Sequence, residues 1–233
     1  MNNEAKRRTL YNALHEQSEL RFPKEDYPHF YAWLNIPSRA RHLRLLDVAC
    51  GQGFFLQCVE QAEDPPAMSG IDFSPVAIGK AKAKLSRADV FQSSVYTLPF
   101  QNETFDYVVN LGSLEHFEWP VASLREMHRV LKPTGKAMVI VPNQYYLGNV
   151  WRVMAYGEED DQGQEGMTRF YTVKGWERQF QEANLDPVAV QGYNGEDHIA
   201  WFFKRKDGQI SQEEMHYRHV LDTFIKPLIP LNL

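Results

Sequence analysis

Four residues set the chemistry this chain can do. Asp47, Gly51 and Gly53 stand in the run Leu45-Leu46-Asp47-Val48-Ala49-Cys50-Gly51-Gln52-Gly53, and Asp72 closes Gly70-Ile71-Asp72 about twenty residues later. Glycine has no Cβ, so the chain can turn sharply at Gly51 and Gly53 and a ligand can come close to the backbone. An acid at the end of the following strand can accept hydrogen bonds from both hydroxyls of a ribose. A dinucleotide fold carries G-x-G-x-x-G, with a helix N-terminus aimed at a pyrophosphate. Here the third glycine is absent and Asp47 stands in the approach to the loop. A carboxylate there repels a pyrophosphate and suits an ammonium group. The residues therefore point to a nucleoside that carries a cation.

Alternating strands and helices must hold these residues. The apolar run 43–48 predicts a first buried strand, and Phe54, Phe55, Cys58 and Val59 predict a helix from Gly53 to about Gln61. Glu63-Asp64-Pro65-Pro66 breaks it, and 67–71 predicts the second strand. Ser74-Pro75 is an N-cap followed by proline at the first helical position, so a helix runs to about Leu85. Further strands are expected at about 89–93, 105–110, 137–141 and 187–190. A helix opens at Pro120 and stops before Pro133, and Thr172 caps another that reaches Ala183. Strands joined by helical crossovers imply an α/β, Rossmann-like, doubly wound and mostly parallel sheet with helices on both faces. The seventh strand has two competing sites, Ile199–Phe203 and the run Phe224–Leu231. A helix is also expected over 4–20, aromatics gather at 27–35, and Tyr145–Ala155 predicts an aromatic helix ahead of an acidic loop, Gly157–Gly166.

The middle of the chain adds motifs in order. Leu98-Pro99-Phe100 precedes Phe105-Asp106; then come Leu114-Glu115-His116-Phe117 and Glu126 to Gly135. From about Leu43 to Asn143 the chain resembles the class I S-adenosylmethionine (SAM)-dependent methyltransferases, small-molecule branch. The resemblance implies SAM as cofactor and S-adenosylhomocysteine (SAH) as product. It implies cofactor contacts from Asp47, Ala49, Gly51, Gly53, Asp72, Phe73, Ser93, Ser94, Val95, Asn110 and Leu111. It also sets His116 near the transferred methyl, as a base for a protic acceptor or as packing for the turn; His15, His29 and His198 are rivals with less support. The segment between the fifth and sixth strands commonly covers the substrate in this family. One domain is expected: a helical cap at 1–40, a SAM-binding core at 41–143, a substrate lid at 144–171 and the rest of the sheet at 172–233. Two departures stand out. Ala49 replaces the first glycine, which requires a negative φ to be free of strain. Ser94 stands where an acid often receives the adenine amino group, and a neutral acceptor is weaker there.

Composition narrows the function. The 233 residues carry a net charge of −5, and the basic clusters are short, so no nucleic-acid partner is expected. Neither Cys50 nor Cys58 suggests a disulfide framework, and no metal-ligand spacing stands near the motif. No signal pattern and no apolar run near twenty residues is present, so a cytoplasmic protein without stable membrane insertion is expected. Oligomeric state is not written in the sequence. The acceptor is not written there either; a small organic molecule, such as a natural-product or quinone-like intermediate, is the expectation. A SAM-binding protein without transferase activity and a nicotinamide-dependent oxidoreductase stay open as alternatives.

Overall fold

The computed structural model describes residues 3–17, 22–142, 154–155, 171–193 and 198–207. Seven strands form one sheet: β1 (Arg44–Val48), β2 (Ala67–Asp72), β3 (Ala88–Gln92), β4 (Phe105–Leu111), β5 (Leu131–Pro142), β6 (Leu185–Tyr193) and β7 (His198–Arg205). Helices among the described residues include α1 (Asn3–Gln17), α2 (Tyr27–Trp33), α3 (Phe54–Glu60), α4 (Pro75–Lys84), α5 (Pro120–Val130) and α6 (Val173–Glu182). The strand order is β3-β2-β1-β4-β5-β7-β6. β1 to β5 run parallel, and β7 lies antiparallel between β5 and β6.

Side-chain alternation splits the core into two layers. Leu46, Val48, Val139, Val141, Trp201 and Phe203 point to the face covered by α5 and α6, where they meet Leu124, Met127, Trp176 and Phe180. Leu45, Met138, Ile140 and Ala200 point to the other face and meet Phe30, Phe55, Leu56, Val59 and Ile78 from α2, α3 and α4. Burial on both faces explains the near-continuous apolar runs of β1 and β5. Trp176, Phe180, Trp201 and Phe203 are among the largest fully buried side chains. The burial of each such ring contributes roughly 2–3 kcal/mol.

Local signals explain most element ends. Ser74 Oγ accepts the N–H of Ala77, and Thr172 Oγ1 accepts that of Gly175, so both expected caps form. β7 takes up the first of the two competing sites, Ile199–Phe203, extended to His198–Arg205; residues 224–231 lie outside the described residues. β5 begins at Leu131, six residues before the expected Ala137, because Leu131 pairs with Phe105 ahead of a register shift. A Cβ on Gly135 would come within 2.6 Å of Leu131 Cδ1, so glycine lets the strand pass through what reads as a turn. β6 is longer at both ends than the expected 187–190.

The expected lid, 144–171, falls almost entirely outside the described residues, and with it Tyr145, Tyr146, Trp151, Met167 and Phe170. Of its aromatics, Tyr171 is described, and its ring packs edge-on against Trp176 at 4.9 Å.

Candidate cofactor site

The strand order reverses between β1 and β4, which is where open α/β sheets bind ligands, beyond the carboxyl ends of the strands. The candidate residues gather along that edge. Asp47 lies near the end of β1 and Ala49 to Gly53 follow it, Asp72 ends β2 and Phe73 follows, Ser93 to Val95 follow β3, and Asn110 and Leu111 end β4.

Backbone hydrogen bonds hold the loop after β1 in place. Cys50 donates its N–H to Ile71 O, and Gly53 donates to Cys50 O. Gly51 has φ +52° and Gly53 φ +78°. A Cβ on Gly53 would lie 2.7 Å from Leu85 Cδ1, so both conformation and space demand glycine there. Ala49 departs from expectation. Its φ is +62°, in the left-handed region, where a Cβ costs about 1–2 kcal/mol. The chain thus carries strain one residue into the cofactor loop, a common place for it. Gly70 was not singled out from sequence. A Cβ there would meet Leu56 Cδ1 at 2.7 Å and Cys50 Sγ at 2.9 Å, so it lets α3 and the loop close down on β2.

The two acids sit side by side at the ends of adjacent strands. Asp72 Oδ2 accepts the Gly51 N–H at 2.9 Å, and Oδ1 accepts the Ser74 N–H at 2.9 Å. Asp72 therefore spans from the glycine loop to the start of α4, with lone pairs left for further donors. Its pKa is raised by burial, against the lowering effects of the Ser74 N–H, the charge of His15 and the Gly51 N–H. Asp47 is 2% exposed. Burial, and secondarily the charge of Asp72, push its pKa up to about 8. Cys50 lies between them, its thiol pushed well up by burial and by both acids, which makes it a poor nucleophile. Two buried acids this close together, both raised despite the charge of His15, favour a ligand that brings positive charge.

The other candidates differ in what they offer. Ser94 Oγ accepts the Tyr96 N–H, so the loop after β3 is a tight serine turn. Val95 is buried in the core beneath it. Asn110 is fully buried; it donates Nδ2–H to Val48 O and accepts the Leu114 N–H on Oδ1. Both ends of its amide brace backbone, so it shapes the ends of β1 and β4. His116 closes a short 3-10 turn (Leu114–His116), is 8% exposed, and has Nε2 3.5 Å from Glu115 Oε1. His29 is exposed on α2, and His198 begins β7. Among the described residues no group of three or more His, Cys, Asp or Glu could hold a metal ion.

Sequence reasoning missed α1 as part of this edge. The Tyr11 ring packs edge-on against Phe73 at 5.3 Å and lies 6.2 Å from the His116 ring. Ser74 Oγ donates to Asn12 Oδ1 at 2.6 Å. Lys80 Nζ and Gln52 Nε2 both donate to the carbonyl of His15. No local signal in Tyr11-Asn12-Ala13-Leu14-His15 announces these partners; they come from chain segments about forty to a hundred residues away.

Comparison with known proteins agrees with this geometry. Residues 46–139 match the family model described as a methyltransferase domain. The chloroplastic 2-methyl-6-phytyl-1,4-hydroquinone methyltransferase of Spinacia oleracea is 32% identical over 127 residues, covering 51% of this chain and 37% of the relative. The chain thus spans little more than a third of that relative's length. The demethylmenaquinone methyltransferase of Bacillus cytotoxicus is 28% identical over 172 residues, covering 64% of this chain and 73% of the relative. Among solved structures, a SAM-dependent methyltransferase from Aquifex aeolicus shares the fold with a TM-score of 0.58 at 16% identity, over 78% of this chain and 98% of that one. These findings set aside the nicotinamide alternative. The glycine loop, the paired acids and the sheet order agree with the similarity of residues 46–139 to a methyltransferase domain.

Proposed function

We propose that the chain transfers a methyl group from SAM to a small, apolar, aromatic acceptor of the quinol type. The observation that carries the cofactor half is the pair of buried acids, Asp47 and Asp72, beside a loop that turns through positive φ at Gly51 and Gly53. The acceptor half is supported by the relatives, whose printed names specify hydroquinone and demethylmenaquinone substrates. No helix among the described residues is long and apolar enough to cross a membrane. A cytoplasmic location and the lack of a nucleic-acid partner belong to this proposal as well.

SAM supplies an electrophilic methyl on a sulfonium. The chain's own residues bind, orient and exclude water, and such positioning can supply most of the rate. Asp72 accepts the ribose hydroxyls, and Phe73 flanks the adenine. Asp47 draws the ammonium end toward the loop. Ser93, Ser94 and Val95 line the base, while Ala49, Gly51, Gly53, Asn110 and Leu111 shape the remaining walls. SAM held by these residues would supply its methyl carbon to an acceptor oxygen or carbon, with SAH as the leaving group. The proton released by the acceptor passes to the His116 imidazole, with Glu115 orienting the ring.

The test is a methyl-release assay with radiolabelled SAM against demethylmenaquinol and a panel of phenols, amines and carboxylates. Methyl incorporation into the quinol, with SAH formed one for one, is the expected outcome. SAM binding without transfer to any member of the panel leaves a cofactor-binding protein and removes the transferase.

A further inference from the structure

We propose that α1 is the outer wall of the cofactor site, that Tyr11, Asn12 and His15 are positioning residues for the cofactor, and that Lys80 and Gln52 latch this wall shut. The proposal rests on the cofactor reading above.

Each of the three α1 residues meets a different part of the candidate site. Tyr11 packs on Phe73, at the proposed adenine flank, and reaches toward His116 on the methyl side. Asn12 accepts the hydroxyl of Ser74, the residue whose N–H also holds Asp72. His15 Cε1 lies 3.4 Å from where a Cβ on Gly51 would stand, and its charge acts on Asp72. One helix thus closes the adenine, ribose and glycine-loop segments together. A cofactor seated on those segments lies beneath α1, and exchange of product for substrate requires α1 to lift.

The latch follows from how the helix ends. The last carbonyls of a helix lack intrahelical donors. His15 is in the last turn of α1, and its carbonyl accepts from Lys80 Nζ at 2.5 Å and from Gln52 Nε2 at 3.2 Å. A cation at a helix C-terminus is also favoured by the helix dipole. Lys80 comes from α4, and Gln52 stands between Gly51 and Gly53 in the cofactor loop. Gln52 is 3% exposed, and its Oε1 accepts Lys84 Nζ at 3.0 Å. The grip on α1 is therefore built partly from the loop that touches the cofactor, so cofactor binding and closure of the wall reinforce one another. Residues 10–15 of α1 are only partly buried, which suits an element that opens locally at low cost.

The experiment pairs stopped-flow displacement of SAH with hydrogen exchange. Lys80→Ala is expected to speed SAH release by about tenfold, the scale of one charge-assisted hydrogen bond. Lys80→Arg keeps a donor and stays near the wild-type rate. SAH is expected to slow amide exchange across α1 in the wild type, and less so in Lys80→Ala. Tyr11→Leu serves as a second variant, expected to weaken SAH binding in a protein of unchanged melting temperature. SAH that binds with no change in exchange across α1, and leaves Lys80→Ala at the wild-type rate, overturns the wall and its latch while keeping the cofactor site. A wild-type protein that fails to bind SAH overturns the cofactor reading itself, and this proposal with it.

Discussion

The two edges of the sheet treat their acids in opposite ways. At the N-terminal edge several acids are paired with cations. Asp106 accepts the Arg44 N–H and pairs with Lys132 at 2.8 Å, tying the starts of β1, β4 and β5 together. Glu126 pairs with Arg129 at 2.7 Å, and Arg129 also donates to the carbonyls of Leu98 and Phe100. Arg205 holds Glu103, Asp207 and the carbonyl of Leu131. Accordingly the pKa of Glu126 is lowered, chiefly by Arg129, and that of Asp207 falls to about 2, chiefly by Arg205. At the C-terminal edge Asp47 and Asp72 are buried beside each other, and both are raised. One edge pairs its acids with cations of the fold; at the other, Asp72 has only the charge of His15 and two backbone N–H groups to set against burial, and Asp47 feels the charge of Asp72. Buried acids without a matching cation lower stability, and a functional site is where such a cost is kept.

Substitutions sharpen this division. The largest effect is expected at His116. As the proton acceptor, its replacement by Ala lowers turnover by about 10²–10⁴-fold with cofactor affinity nearly intact. Turnover and melting temperature measured on the same variant separate this from a packing role, which would lower only the melting temperature. Next comes Asp72→Ala, which should weaken SAM binding by about 1.5–3 kcal/mol, the scale of hydrogen bonds to a charged group. Calorimetry on the folded variant reads this directly. The N-terminal edge should behave in the converse way. Arg129→Ala leaves Glu126 and two carbonyls without their donor and should cost about 2–3 kcal/mol of stability, with SAM affinity unchanged. Denaturant melts read the first quantity and calorimetry the second.

The edges should also separate by pH. Asp47 is raised from 3.8 to about 8, so its ionisation opposes folding. Its contribution to stability is fully present below about pH 4 and is lost as pH rises through about 8. Asp207 is lowered from 3.8 to about 2, so its contribution is present above about pH 4 and is lost as pH falls through about 2. Asp47→Asn should therefore flatten the fall of the ligand-free melting temperature between about pH 4 and pH 8 and leave the limb below pH 4 alone, while weakening SAM binding. A variant with an unaltered slope between about pH 4 and pH 8 would remove the buried-acid account of Asp47. The smallest effect is expected at Ala49. Glycine accepts φ +62° without a Cβ clash, so Ala49→Gly should stabilise the chain by about 1 kcal/mol or slightly less, after glycine's own entropy cost. Urea melts check it.

Much of the fold is legible in the sequence because its signals are local. The β1 run, the glycine loop, Ser74-Pro75 and Thr172 each carry their geometry in a few adjacent residues, and the elements form where those residues stand. The misreadings have non-local causes. Ile199–Phe203 and Phe224–Leu231 are alike as apolar runs; pairing of Phe203 with Ala137 and of Trp201 with Val139 fixes the first as β7, and periodicity does not encode that pairing. Ala49 adopts a left-handed conformation because the loop around it is tied down by Ile71 and Asp72, not because of its own preference. The placement of α1 over Phe73, Ser74 and Gly51 depends wholly on distant partners.

The central claim is that the acid-bearing edge is a site for a cationic nucleoside. Titration calorimetry of the wild-type chain with SAM and with NAD, at pH 6.5 in two buffers of different ionisation enthalpy, tests it most directly. The account predicts one SAM bound per chain, a proton released as Asp47 ionises, and no heat from NAD. Binding of NAD with none of SAM would contradict it.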